Sequence, residues 1–325
     1  MTSLRGTPLF LGVALLLALA VLASLSIGIR IINPFAASGT LDAILLHASR
    51  IPRTAVAVGV GAGLGLAGAI LQTVTKNVLA DPGLLGINAG AAFAVVVVLS
   101  LVDAPPSLAI LGVVATAGAL ATGALAFALA GGTRTFEAQP LRLILSGGVL
   151  AIALGSLTQI VLLLQPGAFE ASQVWLAGSF ADRSVQMVTV YLVPSVILLL
   201  AGFALAPTLS VLLVGEVQSR SLGVDVGKLR IGAFAVAAGL CGMAVSLAGP
   251  VAFVGLIAPH FGRALVGQRL LPSFVLAAAS GAILVLFADV AARRLVAPAE
   301  LPVGIVIAML GVPFYLILLR RRARL

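Results

Sequence analysis

Residues 231–263 read IGAFAVAAGLCGMAVSLAGPVAFVGLIAPHFGR, and the first charge in this stretch is Arg263. A helix needs about 20 apolar residues to cross the hydrocarbon of a bilayer. This run is too long for one ordinary crossing, and Gly249-Pro250 falls inside it. Proline removes a helix hydrogen bond and glycine tolerates a sharp turn, so the run reads as two helices joined at 249–250. Outward from it, the chain repeats the pattern. Charge-free runs cover 6–29, 54–75, 82–102, 104–133, 143–169, 184–215, 270–288 and 301–319. A charge at a helix centre costs about 2.5–3.5 kcal/mol on insertion scales, so such runs locate membrane crossings.

Composition agrees. Of 325 residues, 61% are hydrophobic and 9% charged, and mean hydropathy is +1.24. A soluble domain carries about 25% charged residues, so this chain cannot cover a water-soluble globule. Cys241 is the single cysteine, which excludes an intrachain disulfide and a cysteine-rich metal site. The +9 net charge does not point to nucleic acid, because the bases lie between apolar runs and at the C-terminus.

Dividing 231–263 gives ten crossings. With the N-terminus inside, 13 bases then lie on the inner side and 6 outside: Arg30, Arg50, Arg53, Arg183, Arg293 and Arg294. Nine crossings would give 9 against 10. The positive-inside bias favours ten helices with both ends cytoplasmic. No low-complexity linker divides residues 1–325, so the expectation is one all-α membrane domain.

Pro207 is expected to end a helix near 206, leaving 208–230 as a structured inner loop. Within it, Glu216 and Arg220 stand at i,i+4 and Gly223 is placed as a cap. In the second helix Gly59/Gly63 and Gly61/Gly65 are small-x-x-x-small pairs, which allow close helix approach. Gly61, Gly65, Gly68 and Gln72 share one face, so this helix is expected to be central, with Gln72 bonding to a neighbour. The fifth helix offers Ser156 and Gln159 to a weakly polar path. His260 and Arg263 close the eighth helix, where bases suit the dipole.

Chemistry is sparse. The middle of every expected span is uncharged, whereas ion-coupled transporters place ionisable groups there. No His-Glu-x-x-His occurs, and Gly227-Lys228 lacks the remainder of a phosphate loop. Gly63-Leu-Gly65-Leu-Ala-Gly68 matches a dinucleotide pattern only as a string, since it follows no strand. The chain reads as a passage whose energy must arrive through its inner loops.

At Arg50-Ile-Pro-Arg53, Gly65-Leu-Ala-Gly68-Ala-Ile-Leu-Gln72 and Asn77-Val-Leu-Ala-Asp81-Pro-Gly-Leu-Leu-Gly86, the chain resembles the FecCD-type permeases of bacterial ABC importers for iron–siderophores, haem and cobalamin. The resemblance continues through Trp175-Leu-Ala-Gly178-Ser179, Gly215-Glu216 and Ser221-Leu-Gly223. Gly249-Pro-Val-Ala-Phe-Val-Gly255 with Pro259-His260-Phe-Gly-Arg263, Asp289 with Arg293, Glu300-Leu-Pro302-Val-Gly304 and Gly311-Val-Pro313-Phe314 complete it. One departure is Val78, where the family usually has proline.

The resemblance implies a type II importer permease of ten helices in the bacterial inner membrane. Its partners would be a second permease, identical or paralogous, two ATP-binding subunits and a substrate-binding protein or lipoprotein. ATP with magnesium would sit on the partner subunits and no cofactor on this chain, which would not itself be an enzyme. Coupling to the ATPase falls on Gly215, Glu216, Ser219, Arg220, Ser221, Leu222 and Gly223. Docking of the binding protein falls on Arg50, Arg53 and Arg293. An iron–siderophore is the expected cargo, with haem or cobalamin as the alternative. An ion-coupled secondary transporter is the competing class.

Overall fold

The computed structural model describes residues 6–102, 106–132, 139–165, 175–181, 183–267 and 269–322. Regular structure among them is helical, as required of a chain that must satisfy its backbone within lipid. In order, the α-helices are α1 (Gly6–Ser26), α2 (Leu41–Leu45), α3 (Ile51–Val74), α4 (Ile87–Leu101), α5 (Leu108–Leu129), α6 (Gln139–Leu164) and α7 (Val185–Val211). They continue with α8 (Glu216–Ser221), α9 (Val226–Ala248), α10 (Val254–Val266), α11 (Leu270–Arg294) and α12 (Val303–Arg322). Side chains that accept a free backbone N–H mark several starts: Ser107 before α5, Ser184 before α7 and Asp225 before α9.

Ten full-length spans are not what these residues form. Seven helical segments are long and apolar enough to cross a membrane, and three apolar helices are shorter: Ile87–Leu101, Val254–Val266 and Val303–Leu318. Counting charge-free residues overstates helix length where turns are apolar too. In the run 82–102, a 3-10 turn at Pro82–Leu85 and the left-handed Gly86 take up the first residues. Fifteen residues are left for α4, a rod of about 22 Å against about 30 Å of hydrocarbon. The run 231–262 breaks at Gly249 (φ +75°), and Phe253 (φ +66°) leads into α10.

Two further boundaries differ from expectation. Helix continues through Pro194 and Pro207 to Val211, so the connection to α9 begins at 212 and ends where Asp225 caps that helix. Proline deletes one backbone bond, and bonding resumes beyond it in an apolar segment. At the other end, helix begins well before the charge-free run 54–75. A π-helical turn at Leu46–Arg50 joins α3 to α2, making one helical segment over Leu41–Val74. The wide turn makes room for the ring of Pro52, which sits in the first turn of α3.

The core forms around α3 and α9, as the glycine face suggested. In each, 78% of the apolar window is buried, against 17% for α6 and 11% for α1 and α7. A Cβ on Gly61 would lie 2.7 Å from Ala282 Cα, on Gly65 3.1 Å from the Ala277 carbonyl carbon, and on Gly68 2.5 Å from Gly255 Cα. These are backbone atoms of α10 and α11, which cannot rotate aside. Gly59 meets nothing within 4 Å, so the Gly59/Gly63 pair is not a close-approach seam.

The two glycines therefore carry opposite expected signs. Gly59→Ala removes backbone freedom and should be neutral or stabilise by up to about 1 kcal/mol. Gly68→Ala should destabilise by about 1–3 kcal/mol through overpacking. Thermal unfolding of the two variants in one detergent reads the difference.

Candidate functional site

Three polar assemblies stand out against the apolar background. The first lies where the short helices α4 and α10 begin beside α3. Gln72, buried, donates from Nε2 to the carbonyls of Ala80 and Gly255, each at 3.1 Å, and accepts at Oε1 from Arg263. Asn88 Nδ2 donates to Val251 O at 3.2 Å, and Asp81 accepts the Gly83 N–H at 3.1 Å. One amide thus ties the connection 75–86 to the start of α10, which is the interhelical role expected for Gln72. Arg263 joins this assembly instead of serving only the end of α10.

The second assembly joins α1, α3 and α11 to the segment before α12. Asp289, 0% exposed, holds two arginines: Arg53 Nη2 at 2.8 Å and Arg293 Nη2 at 2.9 Å. Arg53 Nη1 also pairs with Glu300 Oε2 at 2.7 Å. Arg293, 1% exposed, donates from Nη1 to Ser24 O at 3.1 Å, and Ser24 Oγ lies 2.8 Å from Thr54 Oγ1. Arg50 donates to Ile27 O and Arg30 O at 3.2 and 3.1 Å, just past the end of α1. Arg53 and Arg293 are balanced by Asp289 and Glu300, the condition under which buried charges are tolerated, while the third arginine, Arg50, is half-buried and bonds carbonyls.

This placement differs from three arginines presented to a docking protein. Arg53 and Arg293 are buried and committed to carboxylates of their own chain, and Arg50 alone of the three is half-buried. Ser24 and Thr54 were not singled out from the sequence, and Glu300 entered there only as part of a motif, without a partner. The Asp289/Arg293 spacing is readable as an i,i+4 pair, but Arg53 and Asp289 are 236 positions apart.

The third assembly is the connection between α7 and α9. Gly215 (φ +123°) precedes α8 and Gly223 (φ +80°) follows it, both in backbone regions that side chains disfavour. Between them Ser219 is fully buried, and its Oγ donates to Val211 O at 2.9 Å and reaches Gly215 O. That hydroxyl fastens the short helix to the end of α7. Arg220 and Ser221 are exposed, and Leu222 is 68% exposed. The side chain of Glu216 lies outside the described residues. The Asp225 carboxyl is held below the usual carboxylate range by the Lys228 N–H it accepts and by the Lys228 ammonium 3.3 Å away. The result is a fixed knob with an apolar residue at its surface.

Ser156 and Gln159 lie on α6 and are exposed. With Leu145, Val149, Ile152 and Leu163 they form one exposed stripe at helical spacing. Trp175 is partly buried, and the turn it opens delivers the Ser179 N–H to Ala248 O at 2.8 Å, closing the end of α9.

Fold and sites together define a multi-pass helical membrane protein whose ionisable groups gather at helix ends and connections. The chain belongs to the FecCD transport family, which matches residues 10–321. It is 38% identical to the ferric enterobactin transport system permease protein FepD of Escherichia coli (strain K12), over 96% of this chain and 95% of that one. It is 35% identical to the vitamin B12 import system permease protein BtuC of Vibrio vulnificus (strain CMCP6), over 94% and 93%. Among solved structures, an inward-facing metal-chelate type ABC transporter superposes with a TM-score of 0.83 at 27% identity, covering 97% of this chain and 99% of that one. This chain is accordingly an ABC importer permease, a transport subunit that works in a membrane-embedded complex with other subunits.

Proposed function

We propose that the chain is half of a two-permease core in the bacterial cytoplasmic membrane, carrying a ferric siderophore inward. The motor would be a pair of ATP-hydrolysing subunits docked on its inner face. The observation that carries this reading is the α8 knob, held rigid by buried Ser219 with Leu222 standing free beside it. A rigid apolar knob on a connection suits a cleft in a partner that pushes. Gly215, Glu216, Ser219, Arg220, Ser221, Leu222 and Gly223 are the residues we assign to coupling. Both termini then lie on the cytoplasmic side with the knob.

Support for an iron chelate comes from relatives named for ferric enterobactin and Fe(3+) dicitrate; BtuC, named for vitamin B12, marks the alternative cargo. The exposed α6 stripe with Ser156 and Gln159 would face the pathway and the second permease. It is weakly polar and uncharged, as suits a bulky chelate that must not be held in transit. On the outer face, a binding protein would meet Arg50 directly. Engaging Arg53 requires a partner carboxylate to replace Glu300, and engaging Arg293 requires opening the Asp289 pair. ATP and magnesium would be held by the partner subunits.

Uptake is expected to require ATP and the partner ATPase. In cells treated with an uncoupler while ATP is maintained, accumulation of the radiolabelled iron chelate should persist. Its collapse there would favour an ion-coupled carrier.

A further inference from the structure

Helices α5, α7 and α9 do not close against one another along their full length. Between them runs a cleft of about 410 Å³, walled by Gly112, Thr116 and Ala117 of α5, Tyr191 and Pro194 of α7, and Met243 of α9. Ala109 and Ala117 on α5 leave room for it, while Gly112 gives its space to the Tyr191 hydroxyl. Thr116 turns its hydroxyl back to Gly112 O at 2.9 Å, so the wall it presents is a methyl group. The lining continues from Ala109 to Leu120, about 16 Å along the helix. The flank is open, since Val113 and Val190 are both exposed where lipid must lie.

At one end the character changes. The cleft runs into a second cavity of about 260 Å³ that shares Ala109, Val190 and Tyr191 and adds Ser107, Ser184 and Gln186. Ser107 and Ser184 are the caps of α5 and α7, helices of 22 and 27 residues, so two positive dipole ends meet at this mouth. Arg183 directly precedes Ser184 and, without lining either cavity, donates from Nη2 to Ser179 O at 2.8 Å. An apolar slot with a polar, electropositive end has the shape and charge of an amphiphile with an anionic head. A neighbouring protein helix is about 10 Å across and would need a broad face instead.

We propose that this double cavity binds one membrane phospholipid, with an acyl chain along α5 and the phosphate at the Ser107/Ser184 mouth. The site is independent of the cargo and of the coupling knob.

The test is native mass spectrometry of the purified full chain, delipidated and titrated with dioleoyl phosphatidylglycerol or with dioleoylglycerol, which lacks the phosphate. The expected result is a saturable first phosphatidylglycerol adduct and at least tenfold weaker binding of dioleoylglycerol. Ala117→Phe, which fills the slot, should weaken that adduct about tenfold, whereas Leu11→Phe on the exposed face of α1 should leave it unchanged. Val113→Trp at the open flank serves if the phenylalanine variant does not fold. Non-saturable adducts only, equal binding of dioleoylglycerol, or unchanged affinity in the filled variants would each overturn the site. So would a variant whose effect is to dissociate a dimer without changing lipid binding.

Discussion

Asp289→Ala is expected to cost the folded chain about 3–5 kcal/mol, the usual penalty for removing one partner of a buried ion pair. The cause is geometric. Asp289 is fully buried and holds both Arg53 and Arg293, and Glu300 reaches only Arg53. Without the carboxylate, Arg293 keeps Ser24 and loses its counter-ion. Thermal unfolding in a mild detergent should fall by on the order of 10 °C. The double replacement Asp289→Leu with Arg293→Met removes the carboxylate together with the one arginine it would strand, and should recover most of that loss. If the single and double variants were equally damaged, the pair would matter for packing rather than for charge.

The second large effect is expected at Leu222, and it separates folding from coupling. Leu222 is 68% exposed, so Leu222→Glu removes little from the chain's own core. Burying a leucine side chain is worth about 1.5–3 kcal/mol, or roughly 10–100-fold in the occupancy of a docked state. Reconstituted with its ATPase subunits, the variant should keep its melting temperature and nucleotide hydrolysis while uptake falls at least tenfold. Replacing Glu216 should act in the same direction. Ser219→Ala differs, because it frees α8 from Val211 and should also increase hydrogen exchange across 212–225. Normal uptake with Leu222→Glu would remove the knob from the coupling path.

How far such features can be read from the sequence depends on whether their partners are local. The face Gly61, Gly65, Gly68 and Gln72 was legible because its spacing within one helix fixes its direction. Which helix it meets was not, and neither was the idleness of Gly59, since small residues look alike until a neighbour arrives. Pro207 misled because a proline breaks one bond whether or not helix resumes beyond it. The short α4 and α10 were hidden because turns made of Pro82, Gly86, Gly249 and Pro250 carry no charge, so hydropathy runs straight through them. The arginines were visible as a group on one expected side. Their use was not, because Arg53, Asp289 and Glu300 meet only when α3 and α11 are packed. The short helix α8 was legible in outline from Gly215 and Gly223, and its fastening by Ser219 needed the end of α7 to lie where proline predicted none.

On the function proposed above, this chain moves its cargo only when partner subunits spend ATP against the 212–225 connection. Proteoliposomes holding the permease with and without its ATPase, loaded with ATP or with an imposed proton or sodium gradient, test it most directly by accumulation of radiolabelled ferric siderophore delivered by its binding protein. Accumulation only with both ATPase and ATP is the predicted outcome. Uphill accumulation by the permease alone under an ion gradient would contradict it.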